Sequence, residues 1–139
     1  MAGSLTLRVI TPDRIVADTQ VDSLQVPATD GLMGILPRHA PMVAALDIGV
    51  LTYESGGKTG SLFVSGGFAE VRGSTVRVVS EASEQPETID PERARAAEAR
   101  ARKRLDEARA GAAAGEFDVL RAEMALRRAV SRLRATGGR

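Results

Sequence analysis

Leu62-Phe63-Val64-Ser65-Gly66-Gly67-Phe68-Ala69-Glu70-Val71-Arg72-Gly73-Ser74-Thr75-Val76-Arg77-Val78-Val79 is the stretch that decides the fold. Its apolar residues come in short runs, Leu62 to Val64, Phe68 to Val71 and Val76 to Val79, broken by turn residues. That pattern predicts strands. Gly73-Ser74 separates two of them as a turn, and Gly66-Gly67 marks a bulge or a close approach of two backbones.

Toward the N-terminus the same grammar continues. Val50 to Tyr53 reads as a strand, and Ser55-Gly56-Gly57 after it reads as a tight hairpin connection. Val21, Leu24 and Val26 mark further strand positions, and Pro12-Asp13 begins a turn. In the first strand Leu5, Leu7 and Val9 point one way while Thr6 and Arg8 point the other. From Leu5 to about Glu81 the chain therefore reads as an antiparallel β-sandwich, with turn signals every eight to twelve residues. One segment stands apart. Between Asp30 and Pro41, Gly31, Gly34, Pro37 and Pro41 interrupt the apolar Leu32, Met33, Ile35 and Leu36. Such an apolar loop is either tucked inward or meant for a partner.

Toward the C-terminus the composition changes. Ser80 to Thr88 is polar and acidic, and beyond it Ala, Arg and Glu dominate. A domain boundary here divides the chain into residues 1–87, the sandwich, and residues 88–139, a helical hairpin. Asp90 is a good N-cap, with Pro91 at the first helical position and Glu92 in the first turn. The first helix is expected to run to about Arg109. Gly111-Ala112-Ala113-Ala114-Gly115 forms the turn, and a second helix runs from about Glu116 to Arg134, ended by Thr136-Gly137-Gly138. The fold class is α+β.

The helix faces carry information of their own. Ala94, Ala97, Ala101, Leu105 and Ala108 fall on one stripe of the first helix, almost all alanine. Burying a methylene is worth roughly 0.8 kcal/mol, so a hairpin packed through alanine is marginal and is expected to detach or open easily. The second helix has two apolar edges, with Val119, Leu126, Val130 and Leu133 on one side and Phe117, Leu120 and Met124 nearly opposite. Arg121, Arg128 and Arg132 line a third strip.

Bulk properties narrow the function. The 139 residues are 43% apolar, enough for one sizeable core and a smaller appendage. Cysteine is absent and histidine occurs once, which removes disulfides, thiolate metal sites and histidine clusters. No apolar run is long enough to span a bilayer, and the start lacks the pattern of a secretory signal. The expectation is a protein that stays in the compartment where it is made. No catalytic set, Walker loop or metal spacing occurs, so the chain is expected not to be an enzyme and to need no cofactor. Residues 1 to 90 carry 6 basic and 11 acidic side chains, a balance of −5, whereas residues 91 to 139 carry 13 and 7, a balance of +6. That asymmetry suggests different partners for the two halves. An adaptor that grips an acidic partner, nucleic acid or an anionic membrane through the basic hairpin is one alternative. Interleaved acidic groups and an acidic sandwich argue against nucleic acid.

Gly34-Ile35-Leu36-Pro37-Arg38-His39-Ala40-Pro41 resembles the G-I-x-P-x-H-A-P signature of ATP synthase epsilon subunits. Gly66-Gly67-Phe68-Ala69-Glu70-Val71 is similar to that family's G-G-F-x-E-V strand, and Ile89-Asp90 with Arg93-Ala94 is similar to its I-D-x-x-R-A hairpin start. The three motifs stand in order and the resemblance covers nearly the whole chain.

The resemblance implies a sandwich of about ten strands in a non-catalytic rotor subunit of a proton-translocating F-type ATP synthase. Leu32, Met33, Ile35, Pro37, Arg38, His39, Ala40 and Pro41 would meet the gamma subunit and the membrane c-ring. Leu32 and Arg38 depart from the family pattern, which carries a polar or acidic residue and a glycine there. His39 reads as a hydrogen-bonded structural residue. The hairpin is implied to inhibit ATP hydrolysis by extending into the catalytic alpha/beta head, with Arg121, Arg128 and Arg132 meeting an acidic segment of a beta subunit. Regulatory ATP is implied at Ile89, Asp90, Arg93 and Ala94; Arg93, Arg100 and Arg104 share one helix face that could hold a triphosphate, with Arg127 or Arg128 as a clamp from the second helix. Localisation is implied to be peripheral, through the c-ring, on the cytoplasmic face of a bacterial inner (plasma) membrane or on a thylakoid membrane.

Overall fold

The structure is a computed structural model that describes residues 4–111 and 116–137, apart from the side chains of Glu116 and Phe117. The chain start, the turn residues Ala112 to Gly115, the Phe117 side chain of the expected apolar edge, and Gly138 therefore lie outside the described residues. Ten strands come first: β1 (Leu5–Ile10), β2 (Ile15–Val21), β3 (Ser23–Ala28), β4 (Gly31–Ile35), β5 (Met42–Ala45), β6 (Ile48–Ser55), β7 (Lys58–Ser65), β8 (Phe68–Arg72), β9 (Thr75–Val79) and β10 (Ala82–Glu84). A 3-10 turn, Pro86–Thr88, leads into α1 (Pro91–Ala110) and α2 (Glu116–Ala135).

The strands form two five-stranded sheets, ordered β2-β1-β9-β8-β5 and β10-β7-β6-β3-β4. Neighbours are antiparallel except for β1 and β9, which run parallel from Thr6 beside Thr75 to Ile10 beside Val79. The first strand fills the space between its own hairpin partner and the late strand β9. Period-two alternation makes the core: Leu5, Leu7 and Val9 of β1 are buried, as are Val76 and Val78 of β9 and Ala69 and Val71 of β8. Leu24, Val26, Leu51, Leu62 and Val64 join them in the same cluster from the second sheet. Truncating any of these leucines to alanine is expected to cost about 2–5 kcal/mol.

Two glycine sites explain why the strands meet as they do. Gly56 and Gly57 both have positive φ, 59° and 81°, and they close the two-residue hairpin that pairs Ser55 with Lys58. Gly67, at φ 96°, lies against β9 so closely that a Cβ there would stand 1.8 Å from the Val79 carbonyl oxygen. The close backbone approach expected at Gly66-Gly67 is thus made by Gly67.

Leu62, Phe63 and Val64 are all fully buried, although consecutive strand residues face opposite sides. Leu62 and Val64 point into the sandwich; Phe63 points out and forms a second cluster with Ile89 and Ala135, supported by Ile48, Val50 and Ala82. The hairpin covers this face: α2 packs on β6 and β7, and α1 packs on α2. Asp90 caps α1, its Oδ1 accepting the amides of Glu92 at 3.0 Å and Arg93 at 3.3 Å. Ala94, Ala101 and Leu105 are buried, and Ala97 and Ala108 are half-buried, so the expected alanine stripe is the packed one. Ala122, Ala129 and Leu133 are buried in α2.

Candidate functional site

Three places hold the residues singled out in the sequence. The first is the corner between the edge strands β4 and β5. Alternation along β4 buries Ile35 and half-buries Met33, while Leu32 and Leu36 stand 68% and 65% exposed on the outer side. On β5, Val43 is 67% exposed. The apolar stretch is therefore both tucked inward and offered outward, and its first part is a strand. Between the two strands, Pro37, Arg38, Ala40 and Pro41 are exposed. Arg38 has φ 68°, a left-handed conformation that costs a branched-free L residue about 1–2 kcal/mol. His39 is half-buried, its Nδ1 donating to the Ala40 carbonyl at 2.8 Å while its amide donates to Leu36 at 3.2 Å. The ring thus holds the loop's own backbone.

The second place is a cleft of about 270 Å³ where the start of α1 meets the end of α2. Ile89, Asp90, Arg93, Ala94 and Arg100 line it together with Glu84, Thr88, Ala97 and Arg132. Arg104, Arg127 and Arg128, expected at the same site, do not line it. Arg127 and Arg132 stand five residues apart, about 140° around the helix, so they face different sides. Arg127 instead pairs with Asp47, NH2 to Oδ2 at 2.6 Å. Arg132 enters the cleft and donates from Nε to Glu84 Oε1 at 2.7 Å, with its guanidinium 4.5 Å above the centre of the Phe63 ring.

The third place is the strip of Arg121, Arg128 and Arg132 on α2. Arg121 is exposed and Arg128 half-buried, whereas Arg132 is held by Glu84 and Phe63. Leu120 and Met124 are exposed, at 54% and 41%, on the turns of α2 farthest from its buried end. Farther along, Ala135 lies on Phe63 and its carbonyl accepts from Ser61 Oγ at 2.9 Å.

Glu84 and Asp47 did not emerge from sequence reasoning as site residues. The available signal was the opposite charge of the two halves, part of which is satisfied within the chain by the Asp47–Arg127 and Glu84–Arg132 pairs. Asp47 is fixed in place: its amide donates to Pro27 at 2.8 Å, its carbonyl accepts from Gly66 at 3.2 Å, and its Oδ1 accepts from the Ile48 amide at 2.8 Å. The hydrogen bond from Arg127 holds its carboxyl below the usual carboxylate range, against partial desolvation and with help from the Ile48 amide and the Arg127 charge. Among the described residues, no helix is long and apolar enough to cross a membrane.

With this geometry in hand, likeness to known proteins is informative. Residues 4–86 match the family described as ATP synthase, Delta/Epsilon chain, beta-sandwich domain, and residues 87–137 match ATP synthase, Delta/Epsilon chain, long alpha-helix domain. An ATP synthase epsilon chain from Desulforamulus reducens is 42% identical over 135 residues, covering 97% of this chain and 98% of the relative. One from Nitratidesulfovibrio vulgaris is 44% identical over 137 residues, covering 99% and 98%. Among solved structures, a chain of the Euglena gracilis mitochondrial ATP synthase, resolved as OSCP/F1/c-ring, superposes with a TM-score of 0.77 at 25% identity, covering 94% of this chain and 80% of that one.

Proposed function

From the premise that this chain belongs to the ATP synthase delta/epsilon family, as a bacterial-type epsilon subunit of the F-type central stalk, we propose that it anchors on the rotor and brakes ATP hydrolysis. In that reading the sandwich joins the gamma subunit to the c-ring, and the hairpin is the brake. It is a subunit of the enzyme complex with no catalytic role of its own, peripheral to the membrane, on the cytoplasmic face in a bacterium.

The observation that carries the anchoring role is the β4–β5 corner. Leu32, Leu36 and Val43 expose aliphatic side chains around a loop in which Arg38 stands in a left-handed conformation. Apolar side chains that stand out around a strained loop suit a partner's surface. Support for the brake comes from the thin seat of the hairpin: Ala135 is the α2 residue in the apolar cluster beneath it. So small an apolar contact contributes little to holding the hairpin down.

Regulatory ATP fits the cleft at Arg93, Arg100 and Arg132. Its volume of about 270 Å³ falls just under the range that encloses a drug-sized ligand, which suits a phosphate chain better than a whole nucleotide. Glu84 occupies Arg132 and would have to yield it. Calorimetry with millimolar ATP tests this directly, since no heat would remove ATP as the signal.

The wider reading is tested by pulling down purified gamma subunit with the intact chain and with a version ending at Glu87, then measuring ATPase rates of the reconstituted head. Gamma binding by both, with slowed hydrolysis by the intact chain alone, is the expected result. If neither binds gamma, the rotor reading fails.

A further inference from the structure

α2 lies along β6 and β7, and its side chains bond the sandwich at two separated levels of the helix. One is the last turn of α2, where Ala135 rests on Phe63, Ser61 Oγ donates to the Ala135 carbonyl at 2.9 Å, and Arg132 reaches Glu84 at 2.7 Å. The other is Arg127, eight residues earlier and so about 12 Å up the helix axis, paired to Asp47 at 2.6 Å. Farther up still, Met124 and Leu120 are exposed. A helix seated at one end pivots; a second point of attachment stops the pivot.

We propose that the Asp47–Arg127 ion pair is the latch of the hairpin, opened and closed by ionic strength. Asp47 suits the part because its backbone and Oδ1 are committed within the sandwich, which leaves Oδ2 as a fixed acceptor for a moving partner. The latch is also releasable. The side chains of Arg127 and Asp47 are 49% and 36% exposed, so the attraction is screened by salt and is weaker than that of a buried pair. Arg134 lines the neighbouring groove together with Asp47, but the cation that holds Oδ2 is Arg127. Once the pair opens, the last turn of α2 serves as the pivot, and Leu120 and Met124 travel farthest.

Such a latch rests on the braking role proposed above for its purpose, but it is testable on the isolated full chain without gamma or the head. Its failure is therefore distinguishable from failure to bind the rotor. The absence of cysteine permits clean labelling. Spin labels at Lys58→Cys, at the start of β7, and Ala110→Cys, at the end of α1, report the distance between sandwich and hairpin tip by pulsed dipolar spectroscopy. At about 20 mM salt the seated distance should dominate, and the displaced fraction should grow at about 0.5 M. Asp47→Asn, which keeps an acceptor for the Ile48 amide, and Arg127→Gln should each raise the displaced-to-seated ratio about threefold at low salt. The double variant should be no worse than either single one, because both remove the same interaction. Unchanged distances in the single variants, or additive effects in the double, would overturn the latch.

Discussion

Arg132 bonds Glu84 from Nε at 2.7 Å and lays its guanidinium 4.5 Å over the Phe63 ring, so one side chain of α2 clamps both an edge strand and the apolar seat. Its side chain is 30% exposed, which leaves both contacts partly shielded from water. Arg132→Ala is expected to weaken hairpin docking by about 1–2 kcal/mol, whereas Arg132→Lys keeps the charge but loses the flat stack and falls between. Amide hydrogen exchange in the last turns of α2 should accelerate in that order, with the core strands β1 and β9 unchanged. Equal exchange in all three proteins would mean the clamp holds nothing.

Gly67→Ala should be among the costliest single changes in the sandwich. A methyl group there meets the Val79 carbonyl oxygen at 1.8 Å, and φ of 96° is itself unfavourable for alanine. The β8–β9 pairing of Phe68 with Val79 begins at that point, so the strands must part or the glycine must move. We expect a loss of at least about 2 kcal/mol in urea denaturation. Gly66→Ala is the control: its φ is 69°, but the space beside it is open, so only the backbone cost of about 1 kcal/mol remains.

These residues show how far the sequence could be read. Alternation in β1 and β9 exposed the core at once, because each has one face in the sandwich and one in water. The triplet Leu62-Phe63-Val64 hid its meaning, since Phe63 is buried by a helix more than seventy positions downstream. Edge strands were harder. β4 contains two glycines and β10 sits in an acidic stretch read as a boundary, so neither carries the signal of a half-buried strand. The arginines of the hairpin were legible as a set but not by role: which one faces the cleft, and which one Asp47, depends on how α2 is rotated on the sheet.

Docking of the hairpin should depend on acid through Asp47. Its carboxyl titrates below the ordinary range when Arg127 is seated, so the ionised form is favoured in the docked state. The sign follows: the contribution is full above the ordinary carboxylate value of about 4, and is lost as pH falls through the lowered docked value. Hairpin protection should therefore be flat from about pH 7 to 5 and decline below about 4. Asp47→Asn should flatten that acid limb relative to the parent chain. An identical decline in both proteins would assign the acid response to other carboxylates.

The basic strip is best tested through Arg121 and Arg128 alone. Arg132 belongs to the same strip, but in the seated hairpin it also clamps Glu84 and Phe63. Neutralising it does two opposing things: it removes one charge from the proposed beta-subunit contact and frees the hairpin to reach that contact. A triple variant with unchanged ATPase activity would be the sum of those effects and hard to read. Arg121→Gln with Arg128→Gln leaves the clamp on Glu84 and Phe63 in place. We expect inhibition of ATP hydrolysis in the reconstituted head to weaken several-fold, and to do so less at about 0.5 M salt, where the charges are already screened. Full inhibition by the double variant at low salt would remove these two arginines from the brake.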